Sequence, residues 1–171
     1  DVPGCVDEIA SGENGGAIAR IHEPLSLPGA LGRVCPRLCE ESCRRCDWDH
    51  GGLAIGALHR HAADRNLGAA SPTLPRPGRP TGKSVAIVGA GPAGLTAAFY
   101  LLQQGHACTL FDAHPLPGGM LRYGIPEYRL PRAALDAEIR VIAQLGAACR
   151  LGRHWGRDSS LADLRREHDA V

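Results

Sequence analysis

The chain has 171 residues, a formal net charge of +1 and 44% hydrophobic residues, so it can form one ordinary domain or two small ones. This charge gives no support for a nucleic-acid or anionic-membrane partner, and no apolar run reaches the roughly 20 residues of a membrane-spanning helix. Residues 1–10 do not resemble a signal peptide, so we expect a cytoplasmic protein, in which clustered cysteines are more often metal ligands than disulfides.

The first part of the chain carries five of the seven cysteines and predicts a small helical domain over residues 1–66. Apolar spacing predicts short helices at 3–11, 15–22, 36–45 and 53–66. Residues 67–82 contain four prolines within nine positions, which neither a regular helix nor a central strand tolerates. We therefore expect an extended linker or wrapping arm there.

Residues 83–171 alternate between strand and helix patterns. Strands are predicted at 84–90, 107–112 and 147–151, and helices at 91–105, 131–145 and 160–168, the last capped by Ser159 or Ser160. Gly105 marks the end of the first of these helices, and residues 169–171 look like the start of another strand. This order is typical of an α/β domain with a Rossmann-like parallel sheet, and we expect residues 83–171 to form the first part of it.

The strongest single motif is VGAGPAG, which places Gly89, Gly91 and Gly94 in a G-x-G-x-x-G pattern between a strand and a helix. The first glycine permits the tight turn, the second lets backbone approach a pyrophosphate, and the third lets the helix pack on the sheet. The free N–H groups of the helix favour a phosphate. The alternative is a glycine-rich turn that binds no ligand.

Asp112 ends the second predicted strand, where a carboxylate can accept hydrogen bonds from ribose hydroxyls and repel a 2′-phosphate. The site therefore suits FAD or NAD better than NADP. A second glycine pair follows in the segment 117–131, which is long enough to be functional rather than a plain surface loop. Beside the three motif glycines and Asp112, the candidate cofactor-binding residues are Pro92, Ala93, Gly118, Gly119 and Arg122.

Four cysteines lie within twelve residues, at positions 35, 39, 43 and 46. The spacing of Cys35, Cys39 and Cys43 places their thiols near one face of a short helix, and such soft ligands suit iron–sulfur or zinc. Zinc usually takes paired C-x2-C sites, and only Cys43 and Cys46 have that spacing. Free structural thiols are the other alternative. Cys108 and Cys149 are predicted to be ordinary core residues.

Three segments together resemble a known family: GRVCPRLCEESC at 32–43, SVAIVGAGPAGLTAAFYL at 84–101 and GGMLRYGIPEYRLP at 118–131. They resemble the small (beta) subunit of NADPH-dependent glutamate synthase. Its relatives include the amino-terminal part of dihydropyrimidine dehydrogenase, the flavin subunit of NADH-dependent ferredoxin:NADP oxidoreductases and fused subunits of some formate dehydrogenases. The resemblance covers essentially the whole chain.

The resemblance implies a helical domain with two 4Fe–4S clusters, followed by an FAD domain into which an NADPH domain is inserted. It implies that Cys35 and Cys39 ligate one cluster and Cys43 the other. It also offers His59 as a non-cysteine ligand, although a lone histidine on such a helix is more often a surface or capping residue. Relatives carry further cysteines before the position of Asp1 and continue past Val171, so we expect a catalytically incomplete segment of a longer protein.

The implied function is electron transfer between NAD(P)H, FAD and iron–sulfur clusters, with delivery to a partner redox subunit or a ferredoxin-type acceptor. A ferredoxin:NADP or formate dehydrogenase-linked subunit is the alternative within the family. A non-catalytic FAD-binding docking module and a zinc-stabilised regulatory domain are alternatives of other kinds. We name no acid–base catalyst, because in such proteins the cofactors carry the hard chemistry.

Overall fold

The computed structural model describes residues 1–49, 51–154, 156–158 and 160–171. The chain divides into two compact units, Asp1–Leu74 and Pro75–Val171. The division falls inside the predicted proline-rich linker. The predicted boundaries at residues 66 and 83 stay a prediction, and each unit is described separately below.

The first unit consists of short helices, as expected for residues 1–66. Its elements are α1 (Val2–Ala10), α2 (Asn14–His22), α3 (Pro28–Val34), α4 (Leu38–Glu41), α5 (Cys46–Asp49) and α6 (Ile55–Leu67). Asp1 caps α1 by accepting a hydrogen bond from the Gly4 N–H at 3.2 Å. Small and medium apolar side chains fill the core between α1, α2 and α6, namely Cys5, Ala17, Ile21 and Ala62, with Ile9 and Leu25 packed against them.

Two contacts hold α3 and the segment after α6 in place within this unit. A Cβ atom at Gly32 would lie 2.6 Å from the carbonyl oxygen of Gly56, so α3 packs on α6 backbone against backbone. The Asn66 side chain donates to the Thr73 carbonyl at 2.9 Å and accepts from the Thr73 N–H at 2.8 Å. The chain beyond α6 therefore folds back onto the helices.

The predicted helix over residues 36–45 is wrong. The chain forms only the single turn α4, which begins after Arg37, a residue in a left-handed backbone conformation with φ 65° and ψ 33°, and ends at Glu41. A right-handed helix cannot pass through such a residue, so Pro36 lies outside the helix. The helix α3 was not predicted, although Pro28 at its first turn is a recognised start signal; its two glycines obscured the apolar pattern.

The second unit is a parallel sheet with helices between its strands, as predicted. Its elements are β1 (Ser84–Val88), α7 (Pro92–Gln103), β2 (Ala107–Asp112), α8 (Met120–Tyr123), α9 (Arg132–Gln144), β3 (Ala148–Leu151) and α10 (Leu161–Glu167). The strand order is β1-β2-β3, with Val88 opposite Phe111 and Asp112 opposite Leu151. Ser160 caps α10 in a capping box with Asp163, while Ser159 lies outside the described residues.

Ala170 pairs in parallel with Val85, so the chain returns to β1 after α10. Because β2 occupies one side of β1, this segment extends the sheet on the other side. The order then reverses at β1, and in open α/β sheets ligands bind at such a reversal, beyond the carboxyl ends of the strands. The motif that begins at Gly89 follows directly from that end of β1.

Burial confirms one of the two predicted core cysteines. Cys108 is buried in β2, near Leu110, which is also fully buried. Cys149 is exposed, so its prediction as a core residue was wrong. The reason is that β3 is the outer strand of the described sheet and its residues 148–150 are all exposed. Across the described residues, no helix combines the length and apolar character needed to cross a membrane.

We expect Gly94→Ala to lower the free energy of unfolding of the second unit by about 1–3 kcal/mol. A Cβ atom there would collide with the backbone carbonyl of Gly89 and press on the Ile87 side chain at 3.1 Å. Guanidinium denaturation followed by circular dichroism measures the change. Gly51→Ala is the control, since nothing lies within 4 Å of its Cβ position. Equal stability of the two variants would contradict this packing.

We expect Asp169→Asn to destabilise the chain at pH 7 and to match the parent protein near pH 2. Lys83 Nζ and the Ser84 N–H, each 2.9 Å from an oxygen of Asp169, lower the pKa of its carboxyl group from 3.8 to about 2. A lowered folded-state pKa stabilises the fold above the ordinary pKa, and this contribution disappears as the pH falls through 2. Thermal melts between pH 2 and 7 test this, with Glu167→Gln as a control that should show no such convergence.

Candidate functional site

The glycine-rich loop of the second unit has the conformation that its motif requires. Gly89 has φ 104°, which L-residues rarely adopt, so it permits the turn out of β1. Gly94 packs against the Gly89 carbonyl, which brings α7 onto the end of β1. A Cβ atom at Gly91 would have the Gly119 Cα as its nearest neighbour, 3.7 Å away, so the loop backbone is open to a ligand.

The amino terminus of α7 leaves its first N–H groups without acceptors inside the helix. Gly91 is the N-cap residue and has no side chain to satisfy them, and Pro92 occupies the first turn. The N–H groups of Ala93 and Gly94 belong to the set that has no acceptor within its own helix. Together with the helix dipole, they form a site that favours an anionic group such as a phosphate.

Asp112 lies at the carboxyl end of β2, beside this loop. Its Oδ2 accepts a hydrogen bond from the Ala90 N–H at 2.7 Å, and its Oδ1 accepts from the His114 N–H at 2.8 Å and from His114 Nδ1 at 2.9 Å. Burial alone would raise the pKa of Asp112, but the two backbone donors and the His114 side chain outweigh it and lower the pKa. The side chain is therefore a carboxylate at neutral pH.

A carboxylate has about four acceptor positions, and the protein occupies three of those on Asp112. One position therefore remains for a hydroxyl group of a ligand. Movement of the His114 side chain would free a second one. A cavity of about 240 Å³ lies next to this carboxylate, lined by Val88, Gly89, Phe111, Asp112, Ala113, His114 and Arg153. From the sequence, His114 was interpreted as an exposed loop residue rather than a cofactor-binding one, and Arg153 was not considered; turns that follow β2 and β3 bring both to the cavity.

The second glycine pair lies against the first loop. The Gly118 N–H donates to the Ala90 carbonyl at 2.7 Å, and a Cβ atom at Gly119 would lie 2.6 Å from the Gly91 Cα. The segment predicted to approach a cofactor therefore approaches the glycine-rich loop itself. It supports the shape of that loop, and α8 follows directly from it.

The Arg122 side chain is directed into the protein. It is only 9% exposed, donates to the Pro117 carbonyl at 2.5 Å through Nε, and forms an ion pair with Asp136 of α9. These contacts tie the glycine pair and α8 to α9. Arg122 thus makes its hydrogen bonds within the second unit, and its role in binding the cofactor stays a prediction.

In the first unit, Cys35, Cys39 and His59 line one cavity of about 200 Å³, here called the thiol cavity. The sequence proposed all three as metal ligands, although 24 residues separate the first from the last. The other lining residues are Leu25, Leu31, Gly32, Arg37, Ile55 and Gly56. The walls are therefore largely apolar, with two thiols and one imidazole as soft or borderline ligands.

The helices explain why these three side chains meet. Cys35 ends α3, and its N–H donates to the Leu31 carbonyl at 2.9 Å. His59 lies on α6, one turn after the Gly56 contact with α3. Cys39 lies on α4, and the neighbouring Glu40 accepts a hydrogen bond from the Gly56 N–H at 2.7 Å. Glu40 thus caps α6, whose N-cap residue Ala54 has no polar side chain, and joins α4 to it.

His59 is half-buried, and this burial lowers the pKa of its imidazole. A lowered pKa keeps the ring neutral at pH 7, which is the form that binds a metal. The histidine therefore has the protonation state that a ligand needs. The role of His59 as a ligand, and the alternative of a surface or capping residue, both stay predictions.

Cys43 does not line the thiol cavity. Its sulfur accepts hydrogen bonds from the backbone N–H groups of Leu53 and Arg45, which lower the pKa of the thiol. Cys46 is exposed and donates to the Glu40 carbonyl at 3.7 Å. The prediction that Cys35, Cys39 and Cys43 share one helical face is wrong, because Arg37 interrupts the helix between the first two cysteines and α4 ends at Glu41, before the third.

The soft donors of the thiol cavity are of the kind that ligate an iron–sulfur cluster. Within the described residues, no three His, Cys, Asp or Glu side chains converge closely enough to hold one ion. A cluster does not require such convergence, because its irons take separate ligands around a larger body. Two cysteines and a histidine supply three of the four ligands that a 4Fe–4S cluster takes, and the rest of the lining is largely apolar.

Comparison with known families agrees with the division of the chain. Residues 1–70 match the family model described as dihydropyrimidine dehydrogenase domain II, 4Fe–4S cluster. Residues 87–148 match the NAD(P)-binding Rossmann-like domain. The predicted order of an iron–sulfur domain followed by a Rossmann-like domain is confirmed.

Individual relatives cover the chain almost completely. It is 41% identical over its whole length to the NADP(+)-dependent formate dehydrogenase subunit beta of Moorella thermoacetica. It is 39% identical over its whole length to the NADPH-Fe(3+) oxidoreductase subunit beta of Geobacter sulfurreducens, and 38% identical over 88% of its length to the glutamate synthase [NADPH] small chain of Escherichia coli. The chain spans 27%, 26% and 32% of these relatives. The resemblance stated from the three sequence segments is confirmed.

In the metal-free protein, we expect Cys43 to react with iodoacetamide well before Cys5 and Cys108. Backbone donors lower the pKa of Cys43, whereas burial raises the pKa of both Cys5 and Cys108. The thiolate is the nucleophile, so the rate follows its population and its exposure. Peptide mass spectrometry after brief alkylation at pH 7 measures the order. Labelling of Cys108 ahead of Cys43 would contradict the assignment.

Proposed function

We propose that the chain belongs to the family of these oxidoreductase subunits and is the electron-transfer segment of an NAD(P)H-dependent flavin and iron–sulfur oxidoreductase, most simply one related to the glutamate synthase small chain. The observation that carries the proposal is the thiol cavity, where Cys35, Cys39 and His59 meet in the unit that matches a 4Fe–4S domain. The Rossmann-like unit that follows supplies a second cofactor site in the order that the family requires.

In this proposal, the thiolates of Cys35 and Cys39 and one ring nitrogen of His59 hold a 4Fe–4S cluster. Leu25, Leu31 and Ile55 form the apolar part of the cavity wall. Histidine ligation raises the reduction potential relative to ligation by thiolates alone. Cys43, which lies outside the thiol cavity, belongs to the ligands of the other cluster of the family.

We assign FAD to the glycine-rich loop. The N–H groups of Ala93 and Gly94 at the start of α7 face the pyrophosphate, and Gly91 leaves room for it. Asp112 accepts a ribose hydroxyl through its remaining acceptor position. When bound, the flavin and the clusters supply the electron chemistry, while the protein provides binding and orientation. NADP(H) binds to a domain that relatives carry beyond this segment.

The electron acceptor belongs to a partner redox subunit or a ferredoxin-type protein. Two of the relatives reported above are named as beta subunits and one as a small chain, which supports a partner polypeptide. The 41% identity with the formate dehydrogenase subunit favours a second candidate, a formate dehydrogenase-linked oxidoreductase in which the cofactors keep the same sites. We place the protein in the cytoplasm, where its thiols stay reduced.

The test is an anaerobic absorption spectrum of the purified protein with iron, sulfide, zinc and flavin analysis on the same sample. We expect iron and sulfide in equal amounts together with FAD. Cys39→Ser should remove iron and retain flavin, whereas Cys46→Ser, whose thiol lies outside the thiol cavity, should retain both. Asp112→Asn should weaken FAD binding by about 10- to 100-fold, the effect of losing a charged hydrogen-bond acceptor, without loss of iron.

Zinc in place of iron would overturn the cluster assignment and favour a zinc-stabilised domain. Flavin without iron in the product of the complete gene would favour the non-catalytic docking module. If Cys46→Ser loses as much iron as Cys39→Ser, the thiol cavity is not where the cluster binds.

A further inference from the structure

Arg37 has the only left-handed backbone conformation of any non-glycine residue in the part of the chain that the structure describes, with φ 65°. This region disfavours residues with a Cβ atom, and glycine, asparagine and aspartate occupy it more readily than arginine. Local strain of this kind concentrates at functional sites, where the surrounding structure maintains it. Arg37 lies between Cys35 and Cys39 in the sequence.

The left-handed turn determines what the Arg37 backbone contacts. Its N–H points back along the chain and donates to Cys35 Sγ at 3.5 Å. Its carbonyl oxygen points forward and accepts from the Glu40 N–H at 2.8 Å, which starts α4 and so positions Cys39. One strained residue thus orients both cysteines of the thiol cavity.

The Arg37 side chain lines the same cavity as Cys35, Cys39 and His59. Its guanidinium has no ion-pair partner among the residues described, in contrast to Arg20 and Arg33, which pair with Glu8 and Asp64. Glu40 lies nearby, but its Oε1 accepts from the Gly56 N–H instead. The thiol cavity therefore contains one permanent positive charge that no carboxylate of the described residues holds in an ion pair.

We propose that Arg37 is a positioning residue that raises the reduction potential of the cluster at Cys35, Cys39 and His59. The proposal rests on the cluster assignment made above. Reduction adds one electron and makes a thiolate-ligated cluster more negative. A nearby cation and an N–H donor to a ligating sulfur both stabilise the more negative state, and net charge and hydrogen bonds to sulfur are established determinants of cluster potentials.

Two substitutions separate the charge from the backbone. Arg37→Asn removes the guanidinium but retains the N–H and tolerates the left-handed conformation. Arg37→Lys retains the charge. The potential is measured by redox titration with electron paramagnetic resonance on the holoprotein, produced anaerobically from the complete gene. We expect the asparagine variant to titrate at a lower potential and the lysine variant to remain near the parent value, with iron content unchanged in both.

Arg65→Gln is the matched control, because it removes one exposed arginine of the same unit that does not line the thiol cavity. The shift in Arg37→Asn should also increase at low ionic strength, since Arg37 is exposed and salt screens exposed charges. A second readout needs no cofactor: the metal-free asparagine variant should melt at or above the temperature of the parent chain, because asparagine relieves the strain.

The proposal fails if Arg37→Asn has the same reduction potential as the parent protein and Arg65→Gln. It also fails if the reduction potential of Arg37→Lys shifts as far as that of Arg37→Asn, because the charge would then not be the cause. Loss of iron from both variants would contradict it as well. A parent protein that contains no iron would overturn the cluster assignment itself, a result distinct from an unchanged potential in an iron-loaded variant.

Discussion

Direct contact between backbone and backbone, with no side chain between, is the constraint on which both candidate sites depend. In the first unit Gly32 packs against the Gly56 carbonyl, so the end of α3 with Cys35 and the second turn of α6 with His59 face one cavity. In the second unit Gly94 packs against Gly89 and brings the start of α7 to the end of β1. A methyl group at Gly32 or Gly94 would separate the elements that build the site.

Backbone N–H groups prepare each site for negative charge. They donate to the carboxylate of Asp112, to Cys35 through Arg37, and to Cys43 through Leu53 and Arg45. Such donors are fixed by the fold and need no reorganisation when a charged group or a cofactor binds. Each site also has one arginine in its wall, Arg37 in the thiol cavity and Arg153 in the cavity beside Asp112.

The second unit could be predicted from its regular apolar periodicity, whereas the structure of the cysteine-containing residues 35–46 could not. The strands and helices around Gly89, Gly94 and Asp112 lie within one or two residues of their predicted ends, because apolar runs and glycine stops encode them locally. The helix over residues 36–45 failed because a four-residue cysteine spacing suggests a helix, whereas Arg37 in a left-handed conformation leaves no sequence signal. Cys149 was misplaced because edge and central strands have similar local patterns.

Two interruptions of the helix, at Arg37 and after Glu41, distribute the thiols of this segment. A continuous helix would have aligned Cys35, Cys39 and Cys43 on one face and directed all three towards one centre. The observed turn retains Cys35 and Cys39 in the thiol cavity with His59 and leaves Cys43 outside it, hydrogen-bonded to its own backbone donors. The resemblance implies the same division, with Cys35 and Cys39 at one cluster and Cys43 at the other. Arg37 redirects the chain between the two cysteines that share the cavity, and the end of α4 at Glu41 directs Cys43 away from them.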